Sequence, residues 1–147
     1  LKNDLKPGAH GVDLVSDAAY RDFEVRYEYS VPEGSNSGFY LRGRYEIQIL
    51  GQKDKEPKDN GDGGLYKQHT PKVYASKPCG EWNTVEAMIV GNKISVKIND
   101  QLIHDGAECQ KPTGGHLDSA VDQPGPLMLQ GDHGAVSFRN IRIKELP

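Results

Sequence analysis

The segment Asp22–Val31 reads D-F-E-V-R-Y-E-Y-S-V and decides the fold class, because apolar and charged residues alternate along it. Successive side chains of a β-strand point to opposite faces, so this pattern predicts a strand with one buried face. No segment shows a helical period. Further strands are predicted from the same kind of pattern at Phe39–Leu50, Trp82–Val90, Lys93–Asn99, Leu102–Ile103, Leu127–Gly131 and Ala135–Leu146.

Turn-forming residues and one change of parity connect these strands. Gly91-Asn92 and Asn99-Asp100 each favour a tight hairpin turn. In the last strand the apolar positions change parity, which predicts a bulge near Arg139-Asn140. About seven strands of this length cannot bury their apolar faces singly. The sequence therefore predicts one all-β domain over residues 1–147, a two-sheet antiparallel β-sandwich of the concanavalin-like or laminin-G-like jelly-roll type, with a closed barrel as the alternative.

Composition excludes several classes of partner. The chain has 147 residues with 18 Lys and Arg against 21 Asp and Glu, a net charge of −3, and its pI is near 5.9. Nucleic acids and anionic lipids require a clustered positive surface, so neither is expected as a partner. No apolar run approaches the roughly 20 residues of a membrane span. No basic-then-apolar leader follows Leu1.

Motifs for several reaction classes are missing as well. The sequence has no G-x-S-x-G, P-loop or dinucleotide fingerprint, which argues against acyl transfer, phosphoryl transfer and nicotinamide chemistry. Its five histidines lack the short His/Cys spacings of a zinc site, so we expect no cofactor and no metal. A divalent metal bridging Glu46 and a histidine is an alternative that this spacing does not favour. Cys79 and Cys109 either form a disulfide or are two separate thiols.

The predicted strand Phe39–Leu50 carries the most informative polar residues. Its odd positions are mostly apolar, whereas its even positions place a phenol, two guanidinium groups, a carboxylate and an amide on one face. Such a mixture suits the hydroxyl groups of a sugar, which need both donors and acceptors. The alternative is a ladder of exposed charge pairs with neighbouring strands. The residues of this face are Tyr40, Arg42, Arg44, Glu46 and Gln48.

Polar residues elsewhere in the chain are candidates for the same site. Gln130 lies opposite the apolar face of its strand, and His133 follows it between glycines. Tyr66 and His69 come after the charged, glycine-rich segment Gln52–Gly64, which we interpret as a solvated loop, and could line one edge of the cleft. Trp82 begins a strand, where burial is its expected role.

Together, these segments resemble a known family. Asn36–Leu50, N-S-G-F-Y-L-R-G-R-Y-E-I-Q-I-L, is similar to the 3-keto-disaccharide hydrolase domain of bacterial glycoside-degrading proteins. The likeness extends from about Asp13 to the end of the chain. Members of this family carry additional N-terminal strands, whereas only about a dozen residues precede Asp13 here, so we expect a minimal sandwich, a fragment, or a strand or domain partner at this end.

The resemblance implies a concanavalin-like jelly roll with a sugar site, secreted or periplasmic, acting on a 3-keto-glycoside or disaccharide. In that reaction a base removes the proton at C2 and the C1 substituent leaves, after which water adds. On this hypothesis Glu46 or His133 is the base. Arg42 and Arg44 anchor the enolate and hydroxyl oxygens, and Tyr66 stacks on the sugar or donates a proton. The remaining residues of the predicted binding site are Asn36, Tyr40, Gln48, His69 and Gln130.

Two other functions remain open from the sequence. One is a non-catalytic carbohydrate-binding module of a larger polysaccharide-degrading protein, favoured by the lack of an obvious second carboxylate, since ordinary glycosidases use two. Asp132 is the only nearby candidate for that second group. The other is a laminin-G-like adhesion domain that recognises protein.

Overall fold

The structure, a computed structural model, describes residues 1–147 and contains ten β-strands. No helix long and apolar enough to cross a membrane is present. The strands are β1 (Lys2–Asn3), β2 (Leu14–Val15), β3 (Phe23–Ser30), β4 (Asn36–Leu41), β5 (Tyr45–Leu50), β6 (Asn83–Val90), β7 (Lys93–Ile98), β8 (Gln101–Glu108), β9 (Met128–Leu129) and β10 (Val136–Glu145).

The strands form two antiparallel sheets, which confirms the predicted sandwich. One sheet has six strands in the order β1-β10-β3-β6-β7-β8, and the other has four in the order β2-β9-β4-β5. Within the four-stranded sheet β5 is an edge strand, so its outer backbone groups are free to bind loops. This edge position matters for the site described below.

The core lies between the two sheets and contains the alternating apolar residues of the long strands. Phe23, Val25, Tyr27 and Tyr29 of β3 are buried, as the alternation predicted. Tyr27 stacks on Phe39 of the other sheet, with ring centroids 3.9 Å apart and planes 9° from parallel. Burial of such side chains supplies most of the driving force that holds the sheets together.

The predicted strand Phe39–Leu50 is wrong as a single element, because it is a hairpin. Arg42 and Gly43 have φ angles of 55° and 65°, so the chain turns back between Leu41 and Tyr45. Glycine accepts this left-handed conformation without strain, which favours a turn at R-G-R. As a consequence Tyr40 pairs directly with Glu46 instead of lying six residues along the same strand.

The other turns follow the prediction. Asn99 and Asp100, with φ angles of 49° and 67°, form a tight turn between β7 and β8, and Gly91 has a φ of 57° between β6 and β7. The bulge is confirmed, since the register of β10 with β3 shifts between Arg139 and Arg142. Strand β8 is longer than the predicted Leu102–Ile103.

The loop Gln52–Gly64 is only partly solvated, which corrects the sequence interpretation. Its end is buried, and the Asp62 carboxylate accepts hydrogen bonds from Tyr29 Oη at 2.7 Å, from Leu50 N at 2.9 Å and from Ser76 Oγ. Burial raises the pKa of Asp62. This carboxylate fastens the loop to both sheets.

The structure also describes the two cysteines and the tryptophan that the sequence analysis singled out. Both cysteines, Cys79 and Cys109, are free thiols. Trp82 is half-buried, and the Arg139 guanidinium lies 3.9 Å from the centre of its ring.

Candidate functional site

The outer face of the four-stranded sheet carries the polar residues of the hairpin. Tyr40 lies opposite Glu46, and Gly38 lies opposite Gln48. The Gln130 backbone N–H donates to Gly38 O at 2.9 Å, which brings the chain after β9 alongside β4. The antiparallel register therefore places side chains from three segments on one small area.

A cavity of about 270 Å³ opens on this face. It brings together six of the residues that the sequence singled out: Asn36, Glu46, Gln48, Tyr66, Gln130 and His133. Two residues that sequence reasoning missed complete its wall, Gly114 and Gly115. The adjacent glycines in the long Gln110–Gly125 loop are the signal that could have indicated them, since glycine allows a close approach of backbone to a ligand.

Residues that line the cavity carry buried hydrogen-bonding atoms that have no partner. Only four buried side-chain polar atoms in the structure lack one. Three of them, Asn36 Oδ1, Glu46 Oε2 and Gln130 Oε1, belong to residues of this cavity, and the fourth is the core Tyr27 hydroxyl. A buried acceptor without a partner costs about 1–3 kcal/mol, so such atoms are rare in native folds. Three of them on the residues of one cavity mark it as a candidate binding site.

Glu46 is a buried carboxyl with a raised pKa. Its side chain is only 2% exposed, and burial raises the pKa of the carboxyl to about 8, with the negative charge of Asp13 as a smaller contribution. The neighbouring Tyr40 is also fully buried, and its pKa is raised by burial and then by the Glu46 charge. A carboxyl with such a pKa exchanges its proton near neutral pH.

The loop with His133 is held by the N-terminal residues. Asn3 Nδ2 donates to Gly131 O at 2.9 Å and to Gly134 O at 3.2 Å, on either side of the histidine. Gly131 N donates to the Asp13 carboxylate at 2.9 Å. The imidazole itself is exposed at the cavity.

Gly38 makes room for the Glu46 carboxyl. A Cβ atom at this position would overlap Glu46 Oε2 and crowd Cδ and Cγ of the same side chain. We expect Gly38→Ala to displace the carboxyl and to lower the activity of this site by at least about tenfold, because catalytic groups tolerate little misplacement. Gly91→Ala is the matched control, since no atom lies near that Cβ and the residue lies in the β6–β7 turn of the other sheet, although its positive φ adds some strain. Activity of both variants under identical conditions is the measurement, and equal activity would contradict the role of Gly38.

Comparison with known proteins identifies the family. The sequence matches the 3-keto-alpha-glucoside-1,2-lyase-like domain, also called the 3-keto-disaccharide hydrolase domain, over residues 2–144. The chain belongs to this family. No match was found among curated proteins.

Solved structures agree with the fold of this lyase-like domain. A candidate glycosyl hydrolase from Parabacteroides distasonis ATCC 8503 has 27% sequence identity and a TM-score of 0.75, over 91% of this chain and 68% of that one. The carbohydrate-binding module CBM66 from Bacillus subtilis has 12% identity and a TM-score of 0.59, over 99% and 91% of the two chains. Domain 4 of the arabinanase AbnA from Geobacillus stearothermophilus, in complex with arabinotriose, has 14% identity and a TM-score of 0.50, over 98% and 74%. The last two likenesses show the fold alone.

In this lyase-like domain the two arginines do not line the cavity, which corrects the sequence interpretation. Arg42 Nε donates to Arg21 O at 2.5 Å, and Nη2 donates to the Asp22 carboxylate at 3.1 Å. Arg44 Nε donates to the Asp118 carboxylate at 2.7 Å, and Nη1 donates to Gln123 O at 2.6 Å. The guanidinium groups lie in the turn of the hairpin and fasten two loops to it. Both side chains are buried, and the hydrogen bonds that they donate are to groups of the protein.

Two other predicted binding residues lie outside the cavity of the domain. His69 has a ring nitrogen 2.6 Å from Glu108 O, and it is not one of the residues that line the cavity. Tyr40 lies beneath the cavity, where its hydroxyl donates to Gly114 O at 2.7 Å and accepts from Gln130 Nε2 at 3.3 Å. Tyr40 therefore supports the wall instead of contacting a ligand.

Metal ligands do not cluster in the lyase-like domain. No three His, Cys, Asp or Glu side chains come together in an arrangement that could hold a metal ion. In the cavity Glu46 is the only carboxylate and His133 the only imidazole.

Larger grooves on the domain are weaker candidates for the active site. One of about 450 Å³ lies on the outer face of the six-stranded sheet, where Arg26 and Glu86 form an exposed ion pair at 3.3 Å. Another of about 630 Å³ adjoins Lys53 and Lys77. No buried unpartnered polar atom lines either groove. The smaller cavity is therefore the candidate active site.

Proposed function

We propose that this domain acts on 3-keto-glycosides or 3-keto-disaccharides by removing the proton at C2 and eliminating the C1 substituent. The observation that carries the proposal is the buried Glu46 carboxyl, with its raised pKa, beside two unpartnered amide oxygens in one cavity. Membership of the 3-keto-alpha-glucoside-1,2-lyase-like family supports it. The likeness in fold to a carbohydrate-binding module and to a domain that binds arabinotriose supports a sugar as the ligand.

The first step is removal of a proton by Glu46. The C3 carbonyl of the substrate acidifies the C2 hydrogen, because the electron pair left on C2 delocalises onto the carbonyl oxygen. Glu46 in its ionised form takes this proton. The enolate then expels the C1 substituent, which leaves with the C1–O electron pair and takes a proton from His133 or water. A C1=C2 double bond remains in the sugar.

Addition of water completes the reaction. The hydroxyl of a water molecule adds to C1, and the proton of that water replaces the one that His133 or water gave to the leaving group. The proton held by Glu46 returns to C2, which yields the free 3-keto sugar and restores the carboxylate. The Asn36 and Gln130 amide oxygens accept hydrogen bonds from the sugar hydroxyls. Tyr66 supplies an aromatic surface at the wall of the cavity for the ring.

The size of the cavity limits what it encloses. Pockets for drug-sized ligands measure about 300–1,000 Å³, and this one measures about 270 Å³. It encloses a single sugar ring, so the leaving group extends beyond the wall. We therefore place the 3-keto ring inside and its substituent outside.

The test compares oxidised and unoxidised sugars. The protein is incubated with 3-keto-trehalose or 3-keto-sucrose and, separately, with trehalose or sucrose, and the released sugar is measured. Turnover of the keto form alone supports the proposal. Binding by calorimetry without turnover would favour the carbohydrate-binding module, and neither binding nor turnover would favour an adhesion domain.

The raised pKa of Glu46 gives the proposed reaction a defined pH dependence. The base must be ionised, so kcat/KM should fall about tenfold per pH unit as the pH decreases below about 8. The pH dependence of stability has the opposite sign. The free energy of unfolding decreases as the pH rises, because the folded-state pKa of Glu46 lies above the ordinary value of 4.5. The stabilising effect of the protonated form is fully present below about pH 4.5 and is lost as the pH rises through about 8. A pH–rate profile from pH 5.5 to 9.5 is the measurement, and a profile flat between pH 6 and 8 would contradict the assignment.

A further inference from the structure

Thr113 lies where the cavity wall meets strand β5. Its side chain is only 1% exposed, in the loop that connects β8 to β9. Thr113 N donates to Arg44 O at 2.8 Å, and the hydroxyl donates to the same oxygen at 3.2 Å. The hydroxyl oxygen in turn accepts a hydrogen bond from Glu46 N at 2.9 Å. One side chain thus connects the residues on both sides of Tyr45.

Both walls of the cavity attach to the free edge of β5 at Glu46. On one side Tyr66 N donates to Glu46 O at 3.1 Å, and on the other Thr113 accepts from Glu46 N. The next residue after Thr113 continues the wall, since Gly114 O accepts from the Tyr40 hydroxyl at 2.7 Å. Tyr40 is the cross-strand partner of Glu46. The loop, the edge strand and the residue beneath the cavity are therefore joined around one carboxyl group.

We propose that Thr113 is a positioning residue. Its hydroxyl ties the Gly114-Gly115 wall to the backbone of Glu46, which keeps the Glu46 carboxyl shielded from water and in a fixed position. The catalytic consequence rests on the proposed function. Without the hydroxyl the wall keeps the bond from Thr113 N to Arg44 O and the bond from the Tyr40 hydroxyl to Gly114 O, but it loses its bond to Glu46 N. Water then enters beside the carboxyl, which becomes better solvated and less fixed.

The experiment compares Thr113→Val with Thr113→Ser. Valine keeps the shape and removes the hydroxyl, whereas serine keeps the hydroxyl and removes a methyl group. For turnover of a 3-keto-glucoside we expect Thr113→Val to lower kcat at least about tenfold with a smaller change in KM, and Thr113→Ser to stay within about threefold of wild type. The second readout is the Glu46 carboxyl titration by carbon-13 NMR in the free protein. Its midpoint should move from about 8 toward the ordinary value of 4.5 in Thr113→Val only.

The two readouts separate this inference from the proposed reaction. If wild-type protein does not turn over keto sugars, the proposed reaction is wrong, and the titration alone decides the role of Thr113. An unchanged Glu46 titration and an unchanged kcat in Thr113→Val would overturn the inference. If Thr113→Val does not fold, Thr113→Cys replaces it, because a thiol is a weaker acceptor than a hydroxyl, and an intermediate shift is then expected.

Discussion

Replacement of Glu46 with Gln should lower kcat/KM for a 3-keto-glucoside by about 10³-fold, within the range of about 10²–10⁴ for loss of a general base. The amide has nearly the same shape as the carboxyl but cannot accept the C2 proton. Sugar binding should persist, because Gln keeps an oxygen and an NH₂ group in the cavity. Initial rates and calorimetric binding of an unoxidised glucoside are the two measurements.

His69→Ala is the matched control for this substitution. The His69 ring contacts Glu108 O at 2.6 Å and lies outside the cavity, so activity should stay near the wild-type level. His133→Ala is expected to have a smaller effect than Glu46→Gln, because water can also protonate the leaving oxygen. Full activity in Glu46→Gln together with loss of activity in His133→Ala would assign the base to the histidine instead.

Glu46→Gln should also change how the free energy of unfolding depends on pH. The buried carboxyl makes the wild-type protein less stable as the pH rises from about 4.5 toward 8. An amide does not titrate, so the difference in unfolding free energy between the variant and wild type should change across this range. Urea unfolding at pH 5 and at pH 8 measures that change. A constant difference would show that Glu46 titrates at an ordinary pKa.

Arg44→Ala should destabilise the fold by about 2–5 kcal/mol, through the loss of charged hydrogen bonds and of a fully packed side chain. Arg44 is only 2% exposed and donates to the Asp118 carboxylate and to Gln123 O. Asp118 itself is half-exposed, so water replaces part of its lost interaction. Most of the effect therefore comes from the carbonyl contact and from the space the side chain fills. Urea unfolding at pH 7 measures it.

Arg26→Ala is the control for Arg44→Ala. Arg26 forms an exposed ion pair with Glu86, with side chains 59% and 40% exposed, and such pairs contribute at most about 1 kcal/mol. Unchanged stability in Arg44→Ala, with loss of sugar binding, would restore the sequence interpretation that this arginine is a sugar ligand. The expected result separates a residue that fastens a loop from one that contacts a substrate.

The sequence alone determined the sandwich and its inward faces, because local alternation states directly which side of a strand is buried. The alternation from Phe23 to Tyr29 predicted β3 and its buried side chains, and the parity change in β10 predicted the bulge at Asn140. The Asn36–Leu50 segment identified the family. Each of these conclusions depends on neighbours within one strand or on a continuous motif.

The tertiary structure decided which polar side chains meet. A hairpin and a continuous strand have the same alternation, so only the turn at Arg42-Gly43 removed the arginines from the face and paired Tyr40 with Glu46. The cavity wall beside Glu46 includes Gly114 and Gly115, and Thr113 binds the Glu46 backbone, although all three lie more than 60 residues away along the chain. The pKa of a group depends on how far distant segments of the chain shield it from water, and the local sequence does not indicate this.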